Sequence, residues 1–322
     1  MEPVKVISMG SYHIGGKKVS IDGSEPYETP LWPGGPTVVY DPNGEFQAGQ
    51  MYVQCTRIAD PVLPYPVCML HGGGGTGAIW ESTQDGGPGW QYMFMQNGFN
   101  VNLSDAVERG RASWAQFPEI NDGPPMFNSY AERWTTYRIG PRYGVGYEGS
   151  RFDLSKYDNL IKMHVPRWTS SNDMVQAAYD EYFGSLTEGC IILAHSQGGL
   201  FSLNSAVKDC KNIKGFILVE SSSTLDVNVT DVSGLKDIPF LFIYGDFIGP
   251  EFCIDGYEWP GNFAYYGTMR NLHNRIQELG GDSTWLHLPE IGIRGNTHAM
   301  MVENNSRQIA DIICGWIKEH VH

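Results

Sequence analysis

The segment Cys190–Gly199, Cys-Ile-Ile-Leu-Ala-His-Ser-Gln-Gly-Gly, constrains the fold of this chain more than any other. Its apolar run Cys190–Ala194 predicts a buried strand, and the small residues from Gly198 onward predict a helix that begins at once. A sharp turn between the two would hold Ser196 at its tip and push the hydroxyl out of the sheet. The usual pattern is G-x-S-x-G, and Ala194 replaces the first glycine. Ser196 is therefore the candidate nucleophile.

Strands alternate with helices from Pro66 to the last residues. The predicted strands are Val67–Leu70, Phe99–Leu103, Cys190–Ala194, Phe216–Val219, Phe240–Tyr244 and Thr284–Leu288. The predicted helices are Gly89–Gln96, Asn172–Phe183, one from Gly198, Tyr265–Leu279 and Glu303–Lys318. Such an alternation predicts an α/β fold with a mostly parallel central sheet flanked by helices.

The chain before Pro66 has a different character. Lys5–Ser8, Lys18–Ile21 and Met51–Arg57 are predicted as short strands, and the Gly- and Pro-rich stretch Pro30–Pro36 is predicted as a loop.

One stretch, residues 105–170, breaks the alternation, and we call it the insertion. It has no clear period and is crowded with aromatic residues, Arg, Pro and Gly. Structureless stretches of that length are rare unless they are functional, so we predict a lid over the site, with residues 1–104 and 171–322 as the core. The insertion holds 9 of the 22 Lys and Arg residues but only 8 of the 36 acidic ones. That balance favours anionic or carbonyl-rich substrates, or a lid whose charges pair with the acidic body.

A second motif, His71-Gly-Gly-Gly-Gly-Thr-Gly77, follows a predicted core strand. Acyl transfer builds negative charge on the substrate oxygen, and glycines let backbone N–H groups approach that charge closely. We expect oxyanion donors near Gly73 and Gly74, with a further N–H from Gln197 after the nucleophile. A phosphate-binding loop is the alternative, disfavoured because no Lys-Ser/Thr pair follows and no helix is predicted to begin at once.

A third motif, Gly295-Asn-Thr-His298, lies between the last predicted strand and the last predicted helix. A histidine at this place can take the proton of Ser196 and later return it to the leaving group. Two carboxylates, Glu220 and Asp246, end successive strands, and either could orient that histidine. Strand order alone favours Asp246.

Composition excludes some functions. The 322 residues carry a net charge of −14, unlike proteins that neutralise nucleic-acid phosphates. No run of 18 apolar residues predicts a membrane span. The start MEPVKVISMG lacks the apolar stretch of a signal peptide, so we expect a soluble protein, cytoplasmic or secreted with its signal already removed.

The six cysteines do not form CxxC pairs, so we expect neither a metal site nor a cofactor. Cys68 and Cys190 lie in predicted core strands, and buried thiols are expected there.

Taken together, the motifs resemble a small branch of bacterial α/β-hydrolase esterases. The likeness rests on His71–Gly77, Trp80-Glu81, Gly89-Trp90, Arg109-Gly110-Arg111, Ala194–Gly199 and Gly295–His298. It implies an α/β-hydrolase fold and a glutamate as the triad acid, which maps onto Glu220 rather than Asp246. Relatives can carry two adjacent cysteines where this chain has Gly73 and Gly74, so their substrate preference does not transfer.

Three functions are compatible with these motifs. The first is a serine carboxylic ester hydrolase that uses Ser196, His298 and Glu220 on a small to medium ester. A homodimer is compatible with this function. The second uses the same residues on a lactone, an amide or an activated C–C bond, or for acyl transfer. The third is a non-catalytic binding protein. Aromatic residues of the insertion could line the pocket or form a small core of the lid, namely Trp114, Phe117, Phe127, Trp134, Tyr137 and Trp168.

Overall fold

The computed structural model describes residues 3–112, 121, 123–249, 252 and 261–322. Trp114, Phe117 and Cys253 lie outside the described residues. The strands found within these ranges are β1 (Val6–Ile21), β2 (Tyr27–Pro30), β3 (Thr37–Tyr40), β4 (Gly44–Ile58), β5 (Val67–Leu70), β6 (Val101–Asp105), β7 (Cys190–His195), β8 (Ile213–Val219), β9 (Phe240–Tyr244) and β10 (Ser283–His287).

Eight of these strands form one sheet in the order β1-β4-β6-β5-β7-β8-β9-β10, and β2 pairs with β3 in a separate hairpin. From β6 to β10 neighbouring strands run parallel, whereas β4 is antiparallel to both β6 and β1. The mostly parallel sheet predicted from the alternation of strands and helices is confirmed. Its central strand β7, which precedes Ser196, is buried along its whole length.

Helices connect the parallel strands. They are α1 (Ala78–Glu81), α2 (Trp90–Gln96), α3 (Tyr130–Thr136), α4 (Tyr157–Ile161), α5 (Asn172–Ser185), α6 (Gln197–Lys208), α7 (Gly261–Glu278) and α8 (Ser306–His320). Two expectations were wrong. The last helix begins at Ser306 rather than Glu303, because Glu303 is buried and binds the preceding loop. A short helix, α1, does begin directly after Gly77, so the expected absence of a helix no longer counts against a phosphate-binding loop. The absence of a Lys-Ser/Thr pair after the glycines still does.

The two short strands predicted near the N-terminus are a single strand, β1. It pairs with β4 from Val6 to Ile21. Gly15 and Gly16 suggest a break in the sequence, but both adopt positive φ (76° and 88°), which glycine reaches without steric cost. Pairing therefore continues on both sides of the two glycines.

Two hydrophobic clusters lie on opposite faces of the sheet. Along β7, Ile191 and Leu193 belong to one cluster, while Cys190, Ile192 and Ala194 belong to the other. This alternation follows from the two-residue period of a strand, and the apolar character of all five residues from Cys190 to Ala194 follows from helices covering both faces.

Parts of the insertion belong to the first cluster. Its helix α3 begins with a capping box between Ser129 and Glu132. Trp134 on α3 packs against Tyr157 on α4, with ring centroids 4.8 Å apart. Both rings are in the same buried cluster as Trp80 and Trp90 of the core. Although the sequence of the insertion has no clear period, these residues thus form short helices that pack on the core.

The thiols of the described cysteines are free, and Cys68 and Cys190 are fully buried as predicted. Within the described part of the chain, no helix is long and apolar enough to cross a membrane.

Candidate active site

Ser196 occupies the turn between β7 and α6. Its φ of 51° and ψ of −122° lie outside the helical and extended regions, and such a conformation is strained for a residue with a Cβ. The Ser196 N–H donates to Val219 O at 3.3 Å, and its carbonyl accepts from Ser222 N at 3.0 Å. These bonds to the neighbouring strand hold the strained turn in place.

The backbone around this turn is packed so closely that only small residues fit. A Cβ atom on Gly198 would lie 2.9 Å from His71 O, and one on Gly199 would lie 2.5 Å from Ser221 Cβ. A Cβ on Gly72 would lie 2.9 Å from Ser196 Cβ. The small residues of the two sequence motifs therefore bring the His71 loop against Ser196.

His298 lies in the loop between β10 and α8. Its backbone N–H donates to Tyr137 O at 3.0 Å, and its Nδ1 lies 3.2 Å from Glu220 Oε2. The ring is 5% exposed and contacts the rings of His195 and Tyr137. Burial lowers the pKa of His298 below 6.5, although the adjacent Glu220 carboxylate acts in the opposite direction.

Glu220 follows β8 directly and is buried at a positive φ of 48°. Its Oε1 accepts from Gly245 N at 2.6 Å and from Arg138 Nη2 at 2.7 Å. Burial by itself would raise the pKa of this carboxyl. The Arg138 guanidinium and the hydrogen bond from His298 outweigh burial and hold the pKa at about 2.

Because Glu220 is ionised at neutral pH, it can only accept a hydrogen bond. His298 Nδ1 must then carry the proton, which leaves Nε2 as the unprotonated nitrogen of the ring. This is the tautomer that a general base needs.

Asp246, the other candidate acid, follows β9. Its carboxylate accepts from Gly295 N at 3.0 Å and from Phe247 N at 2.9 Å. It thereby ties the end of β9 to the loop that carries His298. Of the two candidate carboxylates, Glu220 contacts the imidazole, and Asp246 contacts the loop backbone.

The glycine loop lies beside the serine turn. Gln197 is the first residue of α6, so its N–H has no acceptor within the helix. Gly73 and Gln197 both line the cavity that contains Ser196 and His298. Gly74 adopts a positive φ of 70°, and its carbonyl accepts from Val165 N of the insertion at 2.8 Å.

His71 and His195 form hydrogen bonds that hold the segments around the cavity in place. His71 Nε2 accepts from Ala106 N at 3.0 Å, and burial lowers the pKa of His71 to about 4. His195 Nε2 lies 2.8 Å from His298 O, and burial holds the pKa of His195 well below 6.5. Both rings are therefore neutral, and each connects two segments of the chain through a hydrogen bond.

The cavity has a volume of about 150 Å³. Among the described members of the predicted aromatic set, Tyr137 lines it, whereas Trp134 and Trp168 do not and Phe127 is exposed. No group of three His, Cys, Asp or Glu side chains among the described residues could hold a metal ion.

Sequence reasoning missed two residues of this region. Arg138, at a positive φ of 54°, reaches from the insertion to the buried Glu220. Glu303 is buried and accepts from Thr297 N at 2.8 Å and from Asn296 Nδ2 at 2.6 Å, which fixes the residues before His298. A buried glutamate needs a counter-charge, but the sequence offered nine candidates in the insertion alone.

A mostly parallel eight-stranded sheet, with a serine on the turn after its central strand and a histidine after its last strand, defines the α/β-hydrolase fold, to which this chain belongs. A solved bacterial esterase superposes with a TM-score of 0.85 at 26% identity, covering 100% of this chain and 98% of that one. The predicted fold is thus confirmed.

The comparisons at the level of sequence agree with the fold. The probable secreted lipase phiG from a fungal species, Fungal sp. (strain ATCC 74256), is 23% identical over 86% of this chain and 88% of its own length. No family model matches the chain. These likenesses support a carboxylesterase-type hydrolase, whereas the narrower bacterial branch remains a prediction.

Proposed function

We propose that the protein is a serine carboxylic ester hydrolase in which Ser196 is the nucleophile, His298 the general base and acid, and Glu220 the residue that orients His298. Similarity to an esterase and a lipase supports the hydrolase type. The triad and the carboxylic ester are our proposals. The observation that carries them is the buried contact of 3.2 Å between His298 Nδ1 and Glu220 Oε2, in a cavity shared with Ser196.

In the first half of the reaction, Ser196 Oγ attacks the ester carbonyl carbon while His298 Nε2 takes the hydroxyl proton. The carbonyl oxygen becomes an oxyanion, held by backbone N–H groups near Gly73, Gly74 and Gln197. The bond to the alcohol oxygen then breaks, and His298 returns the proton to the leaving alcohol. An acyl group remains on Ser196.

In the second half, water replaces the alcohol. His298 takes a proton from water, the hydroxide oxygen attacks the acyl carbonyl, and the bond to Ser196 Oγ breaks with return of the proton to the serine. Ionised Glu220 stabilises the imidazolium in both halves. The lowered pKa of His298 supports this role, because the neutral ring is the form that accepts a proton.

An organophosphonate that reacts with serine nucleophiles tests the proposal. Wild-type protein should be labelled on Ser196, as read by mass spectrometry of the peptide, and Ser196→Ala should take up no label. Ser222→Ala is the matched control, because Ser222 lines the same cavity but does not lie on the turn, and it should still be labelled. Folded wild-type protein without label would overturn the proposal.

Turnover of p-nitrophenyl esters tests the reaction itself. Rapid hydrolysis of short acyl chains supports a carboxylic ester hydrolase, since the cavity of about 150 Å³ is small for a ligand site. If no ester of the panel is hydrolysed although Ser196 is still labelled, the same residues are expected to act on a different type of bond. A function unchanged by Ser196→Ala would favour a binding protein.

A further inference from the structure

Two guanidinium groups from the insertion, those of Arg133 and Arg167, line the cavity next to Ser196. Neither has an Asp or Glu oxygen within 4.0 Å among the described residues. Arg111 and Arg138 of the insertion differ in this respect, because Arg111 binds Asp105 and Arg138 binds Glu220. The two cavity cations therefore need a different explanation.

Arg133 is held in place without neutralisation of its charge. Its side chain is 5% exposed, Nη2 donates to Asn128 Oδ1 at 2.9 Å, and Nη1 lies 3.4 Å from Gly73 O. Its Nε is buried and has no hydrogen-bond partner among the described residues. A buried guanidinium whose charge is not neutralised is costly, and an anion bound beside it would offset that charge.

Arg167 is fixed through its backbone rather than its side chain. Its N–H donates to Met126 O at 3.0 Å, and its carbonyl accepts from Met126 N at 2.7 Å. Burial lowers the pKa of Arg167, and the neighbouring charge of Arg133 lowers it further. Two like charges held together in a half-buried site repel each other, which is unfavourable unless an anion lies between or beside them.

The positions of these groups relative to the glycine loop locate the anion. A Cβ atom on Gly73 would lie 3.5 Å from Arg167 Nε and 3.1 Å from Gln197 Oε1, and one on Gly74 would lie 3.1 Å from Arg133 Nη2. Both guanidiniums thus border the loop expected to receive the ester carbonyl. An anionic group on the acyl part of the substrate, a few bonds from the carbonyl, would reach them.

We propose that the preferred substrate is a half-ester of a small dicarboxylic acid, whose free carboxylate is bound by Arg167 and Arg133 while Ser196 attacks the ester carbonyl. The inference rests on the proposed function. A guanidinium binds a carboxylate through two parallel hydrogen bonds, which gives orientation as well as charge. A cavity of about 150 Å³ fits a short acyl chain of this kind.

A matched pair of substrates tests the inference. Monoethyl glutarate carries the free carboxylate, and the ethyl ester of glutaramic acid has nearly the same shape without the charge. Wild-type protein should hydrolyse the half-ester with the higher kcat/KM. Arg167→Gln should lower that preference by about tenfold or more, mainly through KM, because a charge-assisted hydrogen bond contributes on that scale. Arg167→Lys should restore part of it.

Arg142→Gln is the control variant. Arg142 is exposed on the same insertion, so the change alters net charge equally without touching the cavity. It should keep the wild-type preference. Equal kcat/KM for the two substrates in wild-type protein, or equal loss on both substrates in Arg167→Gln, would overturn the inference.

Two further measurements separate this inference from the proposed function. If phosphonate labels Ser196 and p-nitrophenyl acetate is hydrolysed but the half-ester is not preferred, the function stands and the inference fails. If no ester is hydrolysed and no label appears, the proposed function fails and the ester part of the inference with it.

Binding of glutarate, followed by titration calorimetry in wild-type and Arg167→Gln protein, decides the anion site independently of activity. Loss of binding in the variant supports the site. Binding that survives the substitution, or stronger binding of inorganic phosphate than of glutarate, overturns the assignment to a carboxylate.

Discussion

The two nitrogens of His298 have different surroundings, and this difference sets the chemistry of the ring. Nδ1 faces the ionised Glu220 and carries the proton, while the ring as a whole lines the cavity of Ser196. Burial favours the neutral ring, and Glu220 favours the charged one. The balance keeps the histidine unprotonated near neutral pH and stabilises it once it has taken a proton.

The pH dependence of the reaction follows from this balance. In the proposed reaction His298 is the base and acts when neutral, so kcat/KM should fall as the pH falls through the pKa of His298, which burial places below 6.5. The acid limb of a plot of kcat/KM against pH for p-nitrophenyl acetate should therefore have its midpoint below pH 6.5. A midpoint above 6.5 would contradict this account of the site.

Substitution of the two candidate acids should separate their roles. In Glu220→Gln the neutral amide no longer stabilises the His298 imidazolium, so kcat should fall by orders of magnitude. The corresponding change from acid to amide in a Ser-His-Asp triad lowers kcat by about 10⁴. The acid limb should also move to lower pH, because the carboxylate that raises the pKa of His298 is gone. Asp246→Asn, the matched control, should retain far more activity, since the contacts of the Asp246 carboxylate with the described residues are to backbone N–H groups. Similar losses in both would count against Glu220.

At the scale of elements, the turn after β7 could be predicted because its determinants lie within ten consecutive residues. The strand, the serine and the small residues are all local in sequence, and so is the glycine loop after β5. The single strand β1 was missed because its continuity depends on pairing with β4. Arg138 was missed for the same reason, since it lies 82 residues from its partner Glu220.

The close packing of α6 against the residues that follow β8 can be tested with one methyl group. Gly199→Ala would place a Cβ 2.5 Å from Ser221 Cβ, and overpacking of this kind costs about 1–3 kcal/mol. The free energy of unfolding, measured in urea, should fall by that amount. Gly184→Ala is the matched control on helix α5, where nothing lies within 4 Å, and it should be neutral or stabilising. Equal effects of the two substitutions would refute the packing argument.

The ion pair between Arg138 of the insertion and Glu220 of the core should make the free energy of unfolding depend on pH. The pKa of Glu220 is about 2 in the folded protein and 4.5 ordinarily, so its contribution to stability is fully present above pH 4.5 and is lost as the pH falls towards 2. Arg138→Met leaves the carboxylate without its cation and should cost about 3–5 kcal/mol near pH 7.

This cost should shrink below pH 4.5, where Glu220 becomes protonated in the unfolded state and in the variant. Urea unfolding between pH 3.5 and 7, followed by circular dichroism, measures it. Arg142→Met removes an exposed cation from the same insertion and should have little effect at any pH. A cost for Arg138→Met that does not change with pH would show that Glu220 is not its origin.

At the scale of the whole molecule, the insertion and the core share one hydrophobic cluster. Trp134, Tyr137 and Tyr157 of the insertion belong to it together with strands β5 to β9 and helix α8. The Arg151 N–H also donates to Gly295 O, at 2.7 Å, in the loop before His298. The boundaries at residues 105 and 170 remain a prediction, and these contacts indicate a part that folds with the core.

Unfolding should therefore be a single cooperative transition. Tryptophan fluorescence, to which the nine tryptophans of the insertion and the core all contribute, should change at the same urea concentration as circular dichroism. Trp134→Phe is the control that removes one of the three indoles of the insertion and keeps an aromatic ring at that position. Two separate transitions in the wild type, of which one loses fluorescence amplitude in Trp134→Phe, would show that the insertion unfolds by itself.

The contact between Arg138 and Glu220 also limits how proteins with this architecture can diverge. A segment that shapes the substrate pocket usually evolves freely by exchange, shortening or extension. Here the same segment supplies the cation that neutralises Glu220, the residue proposed to orient His298. New specificities are therefore expected to arise by single substitutions around Arg138, while transplantation of the whole segment from a distant relative would disable the enzyme.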